Sequence, residues 1–240
     1  MGKKKEQVAD MFDGIAWRYD FLNHFLSMRI DKIWRRKAVN ELRGRHLGEV
    51  LDVATGTGDL ALTLHKRLRP KHITGIDISE NMLAHGRKKV SNKGLSQQID
   101  LLYGDSEEIP FADDKFDAVM VAFGVRNFED LDKGLCEMLR VLKSDGKVVI
   151  LEFSTPRNKI FRSLYHFYSF NILPFAGRLI SKDKKAYQYL PESVKAFPYG
   201  TDFGKRMERC GYTNVHIRPL SFGIACIYTG IKSKKNIVDM

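Results

Sequence analysis

The chain has 240 residues, 43% of them hydrophobic, and carries 40 Lys and Arg against 29 Asp and Glu for a net charge of +11. That length supports one sizeable core, so a single domain with embellishments is expected rather than two domains. Cys136, Cys210 and Cys226 are far apart and form no C-x-x-C pair, which excludes a disulfide scaffold or a cysteine zinc site, leaves no metal centre in view, and suits a reducing cytoplasm. No run approaches eighteen apolar residues, and Met1-Gly-Lys-Lys-Lys-Glu-Gln lacks an apolar core; neither a membrane span nor a secretory leader is expected.

The charge is unevenly placed. Residues 1–47 hold 11 basic and 6 acidic side chains, 48–153 hold 14 and 18, 154–205 hold 9 and 3, and 206–240 hold 6 and 2. Basic flanks around an acidic centre suit an anionic partner such as nucleic acid or anionic lipid without choosing between them, and solubility alone would also account for them.

Residues 1–47 read as a helical cap. Val8, Met11, Phe12 and Ile15 make one amphipathic stripe, and Ile30, Trp34, Ala38 and Leu42 make a second. Between them, Trp17 to Ser27 mixes aromatic rings with hydrogen-bonding groups. Rings of that kind are expected to pack over the ligand cleft, with Tyr19 placed to reach a ligand.

Residues 48–155 read as the core. Val50-Leu-Asp-Val-Ala-Thr-Gly-Thr-Gly-Asp59 is a buried strand, a tight glycine turn and the start of a helix at Asp59 or Leu60. Gly56 and Gly58 let a ligand lie against the main chain. Gly56-x-Gly58-x-x-Ala61 formally satisfies the dinucleotide fingerprint, so NAD stays an alternative. The acids favour S-adenosylmethionine (SAM): Asp52 precedes the loop and Asp59 follows it, where a carboxylate would compete with a pyrophosphate but attract a sulfonium and an ammonium. Asp77 ends the second apolar run, nineteen positions after Gly58, where either ligand would offer its ribose hydroxyls. The third run, Ile99–Tyr103, leads to Gly104-Asp105-Ser106, an acid placed for an adenine amino group.

A helix from Glu80, capped by Ser79, joins the second and third strands. Phe116–Ala122 is the fourth strand, a helix carries Leu131, Leu135, Met138, Leu139 and Leu142, and Lys143-Ser-Asp-Gly146 turns into Lys147–Phe153. Residues 156–200 interrupt the alternation with an aromatic block, Ile160 to Phe175, between Arg157, Lys159 and Arg162 and then Arg178, Lys182, Lys184 and Lys185. Such a block suits a lipid interface and equally a lid or a homodimer helix. Residues 201–240 supply a helix stopped at Cys210-Gly211 and two strands, 214–218 and 224–231, expected to form a closing antiparallel hairpin. The fold class is α/β: a doubly wound, mostly parallel seven-stranded sheet with ligand sites beyond the carboxyl ends of its strands.

Two long motifs carry a resemblance to a known family: Tyr19-Asp-Phe-Leu-Asn23-His-Phe-Leu-Ser27 continuing to Trp34-Arg-Arg36, and Arg140-Val-Leu-Lys-Ser-Asp-Gly-Lys-Val-Val-Ile-Leu-Glu152-Phe-Ser154. Phe123-Gly-Val-Arg126-Asn127 and Tyr187-x-Tyr-Leu-x-Glu-Ser193 add to it. With these segments the chain resembles class I SAM-dependent methyltransferases, and more narrowly the ubiquinone/menaquinone biosynthesis C-methyltransferases (UbiE/MenG), over nearly its whole length. The resemblance implies SAM contacts at Thr57, Asp77, Asp105 and Ser106, no metal, and a polyprenylated quinol substrate: demethylmenaquinol, with benzoquinols as an added or alternative acceptor. Some relatives have a serine where Ala122 stands. The family's histidine in the first motif is Asp31 here, and its Pro-Gly in the second is Ser144-Asp145.

On this reading the nucleophile is a ring carbon made reactive by ionising the neighbouring phenol. Arg126 is the candidate for stabilising the phenolate, with Asn127 and Tyr19 orienting the hydroxyls; a structural pair of Arg126 with an acid such as Asp130 is the bland alternative. His24 and His166 are alternative bases. An isoprenoid tail keeps the substrate in a bilayer, which implies a cytoplasmic protein visiting an anionic membrane surface. An RNA methyltransferase would bring a binding module or base-chemistry motif that is not seen, so no nucleic acid is expected; a non-catalytic SAM-binding regulator fits the loop but not the fuller motif.

Overall fold

The computed structural model describes residues 5–14, 16, 27, 29–156, 189 and 192–234. Helix α1 covers 5–14. There follow α2 (Ile30–Asn40), β1 (Glu49–Val53), α3 (Asp59–Leu68), β2 (His72–Asp77), α4 (Glu80–Asn92), β3 (Ile99–Tyr103), β4 (Phe116–Ala122), α5 (Leu131–Val141), β5 (Leu142–Phe153), α6 (Thr201–Arg209), β6 (Tyr212–Leu220) and β7 (Ala225–Lys232). The seven strands form one sheet in the order β3-β2-β1-β4-β5-β7-β6. Strands β1 to β5 pair in parallel, whereas β7 runs antiparallel to both β5 and β6. The doubly wound sheet, the closing hairpin and the helical cap expected from the sequence are all present.

Each face of the sheet is covered, so the central strands are apolar on both sides. Val50, Ile73, Met120 and Val149 pack with Trp34, Ala38, Leu60, Leu64 and Leu83 of α2 to α4. Leu51, Ile76, Val119 and Ile150 pack with Leu135, Met138, Phe203 and Met207 of α5 and α6. Ser79 caps α4 by accepting the Met82 amide at 3.2 Å, and Cys210 and Gly211 (φ 105°) end α6.

Two strands differ from their sequence reading. The Lys143–Gly146 turn lies inside β5: Leu142 stands opposite Phe116 and register resumes with Lys147 opposite Ala118, so the turn bulges out of a strand that begins earlier. Lys143 Nζ reaches Asp117 at 2.7 Å, and Asp117 also accepts the Gly48 and Glu49 amides, which ties the bulge to the start of β1. Strand β6 starts at Tyr212, not Asn214, because the buried Tyr212 ring donates its hydroxyl to the Leu135 carbonyl at 3.0 Å. Asn214, at φ 50°, falls within a register shift rather than at a strand start. Trp17, Tyr19, Asn23, His24, His166 and the aromatic and basic segment 157–185 lie outside the described residues.

Asp145 takes φ 59° in that bulge, the left-handed region that glycine occupies without a Cβ penalty. It stands where the resembled family has glycine. Among the described residues its side chain pairs with the exposed Lys234, at 3.2 Å, a contact of small value. Asp145→Gly is therefore expected to raise stability by about 0.5–1 kcal/mol in urea denaturation; a loss of that size would show the ion pair to outweigh the backbone strain.

Candidate active site

The site begins where β1 runs out. Ala54, Gly56 and Gly58 all have positive φ (51°, 54° and 78°), which winds the chain tightly enough to start α3 at Asp59. The Thr55 amide donates to the Ile76 carbonyl at 2.9 Å, tethering the turn to β2. Asp52 braces it from inside: Oδ2 accepts the Thr55 hydroxyl at 2.7 Å and the Ala61 amide at 3.1 Å. Its Oδ1 is buried with no hydrogen-bond partner. Burial pushes this carboxyl up to about 7, against the opposing pull of Thr55, Ala61 and Arg35.

The next two strand ends supply further acids. Asp77 Oδ2 accepts the Gly56 amide at 2.8 Å and Oδ1 the Ser79 amide at 2.9 Å; burial raises its pKa. Asp105 Oδ1 accepts the Glu107 amide at 2.8 Å, and Oδ2 lies 2.6 Å from Lys5 Nζ. Lys5 also reaches Glu107 at 3.0 Å, and Glu107 in turn accepts the Glu129 and Asp130 amides. Helix α1 thus lies along the strand ends, with Asp13 accepting from Ser79 Oγ and from the Asn81 amide.

Between these groups is a cleft open to solvent. Gly56, Asp77, Asp105 and Ser106 line it from the strand ends, Lys5, Val8 and Phe12 from α1, and Phe123 and Asn127 from the loop after β4. Asp52, Thr57 and Gly58 do not line it. Thr57 is buried and its hydroxyl accepts Lys89 Nζ at 3.0 Å; the same ammonium is 2.6 Å from Asp59, so the charge expected to attract a cationic ligand is already offset. The cradle fits SAM: strained turn residues open the main chain, carboxylates stand at three successive strand ends, and a buried oxygen lacks a partner.

Arg126 and Asn127 follow β4 in a single 3-10 turn, Val125–Asn127. The acid that Arg126 meets is Glu152 of β5, at 3.1 Å, not Asp130; Asp130 instead caps α5 by accepting the Lys133 amide. Arg126 Nη1 also donates to the Phe123 carbonyl, and Nε donates to Ser193 Oγ at 3.3 Å. Glu152 is fully buried, and burial raises its pKa against the pull of Arg126. Asn127 Oδ1 accepts the Tyr189 hydroxyl at 3.0 Å. Beside them, Phe123, Phe153 and Trp34 pack ring on ring with centroids 4.6 to 6.2 Å apart. Asp31, the replacement for the family's histidine, is buried, paired with Arg35 and accepts Ser27 Oγ at 2.7 Å. Arg35 lies 5.3 Å from the Phe123 ring centroid. Asp31 therefore orders the aromatic wall through Arg35.

The structure gathers Gly56, Asp77, Asp105, Ser106 and Asn127 on one cleft, with Asp52, Thr57, Gly58 and Arg126 packed behind or beside it. Tyr19 lies outside the described residues. Lys5, Glu152, Tyr189 and Ser193 were not singled out as site residues. Glu152 had a readable signal, a lone acid in an apolar strand, and Tyr189 and Ser193 sit at i, i+4 spacing; Lys5 had none. Among the described residues no group of three or more His, Cys, Asp or Glu could hold a metal ion.

Comparison with known proteins covers nearly the whole chain. The model of the ubiE/COQ5 methyltransferase family matches residues 1–232. A Bacteroides fragilis protein named demethylmenaquinone methyltransferase is 50% identical over 231 residues, covering 96% of this chain and 94% of that one. A Geobacter sulfurreducens protein named ubiquinone/menaquinone biosynthesis C-methyltransferase UbiE is 49% identical over 234 residues, 97% and 91% of the two chains. The fold is also that of a SAM-dependent methyltransferase from Aquifex aeolicus, with a TM-score of 0.59 and 21% identity over 82% of this chain and 88% of that one. With the glycine turn, the strand-end acids and the Arg126–Asn127 turn in the matched span, the chain belongs to the ubiE/COQ5 methyltransferase family.

Proposed function

We propose that this chain transfers a methyl group from SAM to a ring carbon of a polyprenylated naphthoquinol, converting demethylmenaquinol to menaquinol. The observation that carries this reading is the 50% identity, over almost all of both chains, to the relative named demethylmenaquinone methyltransferase. The relative named for both ubiquinone and menaquinone biosynthesis, at 49% identity, supports a second acceptor, a benzoquinol. In the proposed site Asp105 and Ser106 hold the adenine, Asp77 the ribose hydroxyls, and the turn with Gly56, Thr57 and Gly58 the remainder, with Asp52 beneath.

SAM, when bound, supplies an electrophilic methyl on a positively charged sulfur and leaves as S-adenosylhomocysteine. The protein must make the acceptor carbon electron-rich. With a phenol pKa near 10, ionising the quinol at pH 7 costs about 4 kcal/mol. Arg126 reduces that cost from beside the turn, its charge held by Glu152, and the hydroxyl proton leaves to water. Asn127, on the cleft wall, and Tyr19 orient the quinol oxygens and so align the ring carbon for attack. The methyl–carbon bond forms as the methyl–sulfur bond breaks, and loss of the ring proton restores aromaticity.

The test is methyl transfer from labelled SAM to a detergent-dispersed 2-polyprenyl-1,4-naphthoquinone, with the ring reduced in one sample and oxidised in the other. Transfer in the reduced sample alone is expected, and a benzoquinol arm reads the second acceptor. Arg126→Ala is expected to bind SAM normally and to lose at least 100-fold in kcat, as order-of-magnitude loss of one charge-stabilising group. No transfer in either ring state, with SAM binding intact, would overturn the reading.

The tail sets where the protein works. At roughly 0.8 kcal/mol per buried CH₂, a multi-unit isoprenoid stays in the bilayer. No helix among the described residues is long and apolar enough to cross a membrane. A cytoplasmic protein of charge +11 would meet such a substrate at an anionic surface, with 157–185 as the proposed contact and a homodimer helix as the alternative use of that segment. Co-flotation with anionic liposomes that weakens as salt rises is the expected outcome; no association at low ionic strength would contradict it.

A further inference from the structure

Two residues, Tyr189 and Ser193, meet the Arg126–Asn127 turn. Tyr189 donates its hydroxyl to Asn127 Oδ1 at 3.0 Å, and Ser193, four residues on, accepts Arg126 Nε at 3.3 Å. Tyr189 and Ser193 are four positions apart and each is helical, and together they engage two adjacent residues of the turn. Tyr189 is half-buried, which raises its pKa, and it stays a protonated phenol able to donate. An amide has one acceptor end and one donor end. With Oδ1 committed to Tyr189, the Asn127 nitrogen has no hydrogen-bond partner among the described residues, and Asn127 lines the cleft.

We propose that Tyr189 is a positioning residue of the methyl-transfer site: by holding Asn127 Oδ1 it turns the amide nitrogen toward the cleft, where it donates to the ionised oxygen of the acceptor. The inference rests on the quinol reading above. A free amide would present its oxygen as readily as its nitrogen, and an oxygen facing a phenolate repels the charge the site must stabilise. Tyr189 thus fixes the sign of the dipole that Asn127 offers. Ser193, four positions on, holds the neighbouring Arg126, so the same short stretch of sequence reaches both residues of the turn.

The test measures ionisation of a bound phenol without turnover. 2-Prenyl-1-naphthol is bound to the full chain with S-adenosylhomocysteine, and the naphtholate band is followed against pH. Arg126 and Glu152 near Asn127, and Lys5, Asp77, Asp105 and Glu107 around the cleft, are left in place. Wild type is expected to lower the midpoint below that of free naphthol. Tyr189→Phe, which keeps the ring, is expected to cut the naphtholate-to-naphthol ratio about 2-fold to 10-fold at a fixed pH, the worth of one neutral hydrogen bond. Asn127→Ala should do the same, and the double variant no more, because both remove one coupled unit. A wild-type midpoint in Tyr189→Phe, additive losses in the double variant, or an equal loss of S-adenosylhomocysteine affinity would each overturn the proposal. If wild type binds the naphthol without lowering its midpoint, the ionisation step itself fails, and that result is distinct from a failure confined to Tyr189.

Discussion

A carboxylate placed inside the sheet and left half satisfied is the constraint from which the cofactor end of this protein follows. Asp52 shares the face of β1 that carries Val50 into the apolar layer under α2 to α4. One of its oxygens fastens the loop at Thr55 and Ala61, while the other has no partner. The first pair of bonds holds together a turn that contains three positive φ angles. The orphaned oxygen is a cost that a bound positive charge would offset. Asp77, through the Gly56 amide, fixes the same turn from the neighbouring strand, so two acids and a short backbone segment form one braced unit at the carboxyl ends.

The acceptor end is built on a second buried charge, with a different logic. Arg126 and Glu152 come from the ends of adjacent parallel strands β4 and β5. Removing either would leave an uncompensated buried charge. That pair holds the guanidinium next to the aromatic wall of Phe123, Phe153 and Trp34 and beside the cleft that Asn127 lines. A cation held beside apolar rings suits an aromatic acceptor that must carry negative charge during transfer. On the proposed reading the two ends divide the work: Asp77 and Asp105 line the part of the cleft given to the ligand that brings positive charge, and Asn127, with Arg126 packed beside it, serves the one that develops negative charge.

Most of the sheet was legible because parallel strands buried on both faces read as apolar runs ended by glycine or acid. The strand-end acids Asp77 and Asp105 were legible for the same reason, since ligands of such sheets bind at those ends. What could not be read were partners set by three-dimensional packing. Arg126 and Glu152 are 26 positions apart, and although Glu152 stands out as a lone acid in an apolar strand, nothing local names Arg126 as its partner. Lys5 reaches Asp105 across 100 positions. The Lys143–Gly146 sequence marks a turn but not the strand boundary it suggests, because bulges keep a strand's pairing while interrupting its pattern. Asp59 shows the opposite limit: its place at the start of α3 was right, but Lys89 takes up its charge.

The proposal that carries most of this account is that positive charge bound in the cleft is felt by the buried Asp52 behind it, and proton release on binding tests it directly. Burial raises the pKa of this carboxyl, and a positive charge nearby would lower it and expel a proton held there. Titration calorimetry of SAM across pH 5 to 8, in buffers of different ionisation enthalpy, is expected to show net proton release, with the release abolished in Asp52→Asn. Heats that do not depend on the buffer, or an unchanged release in Asp52→Asn, would contradict the account.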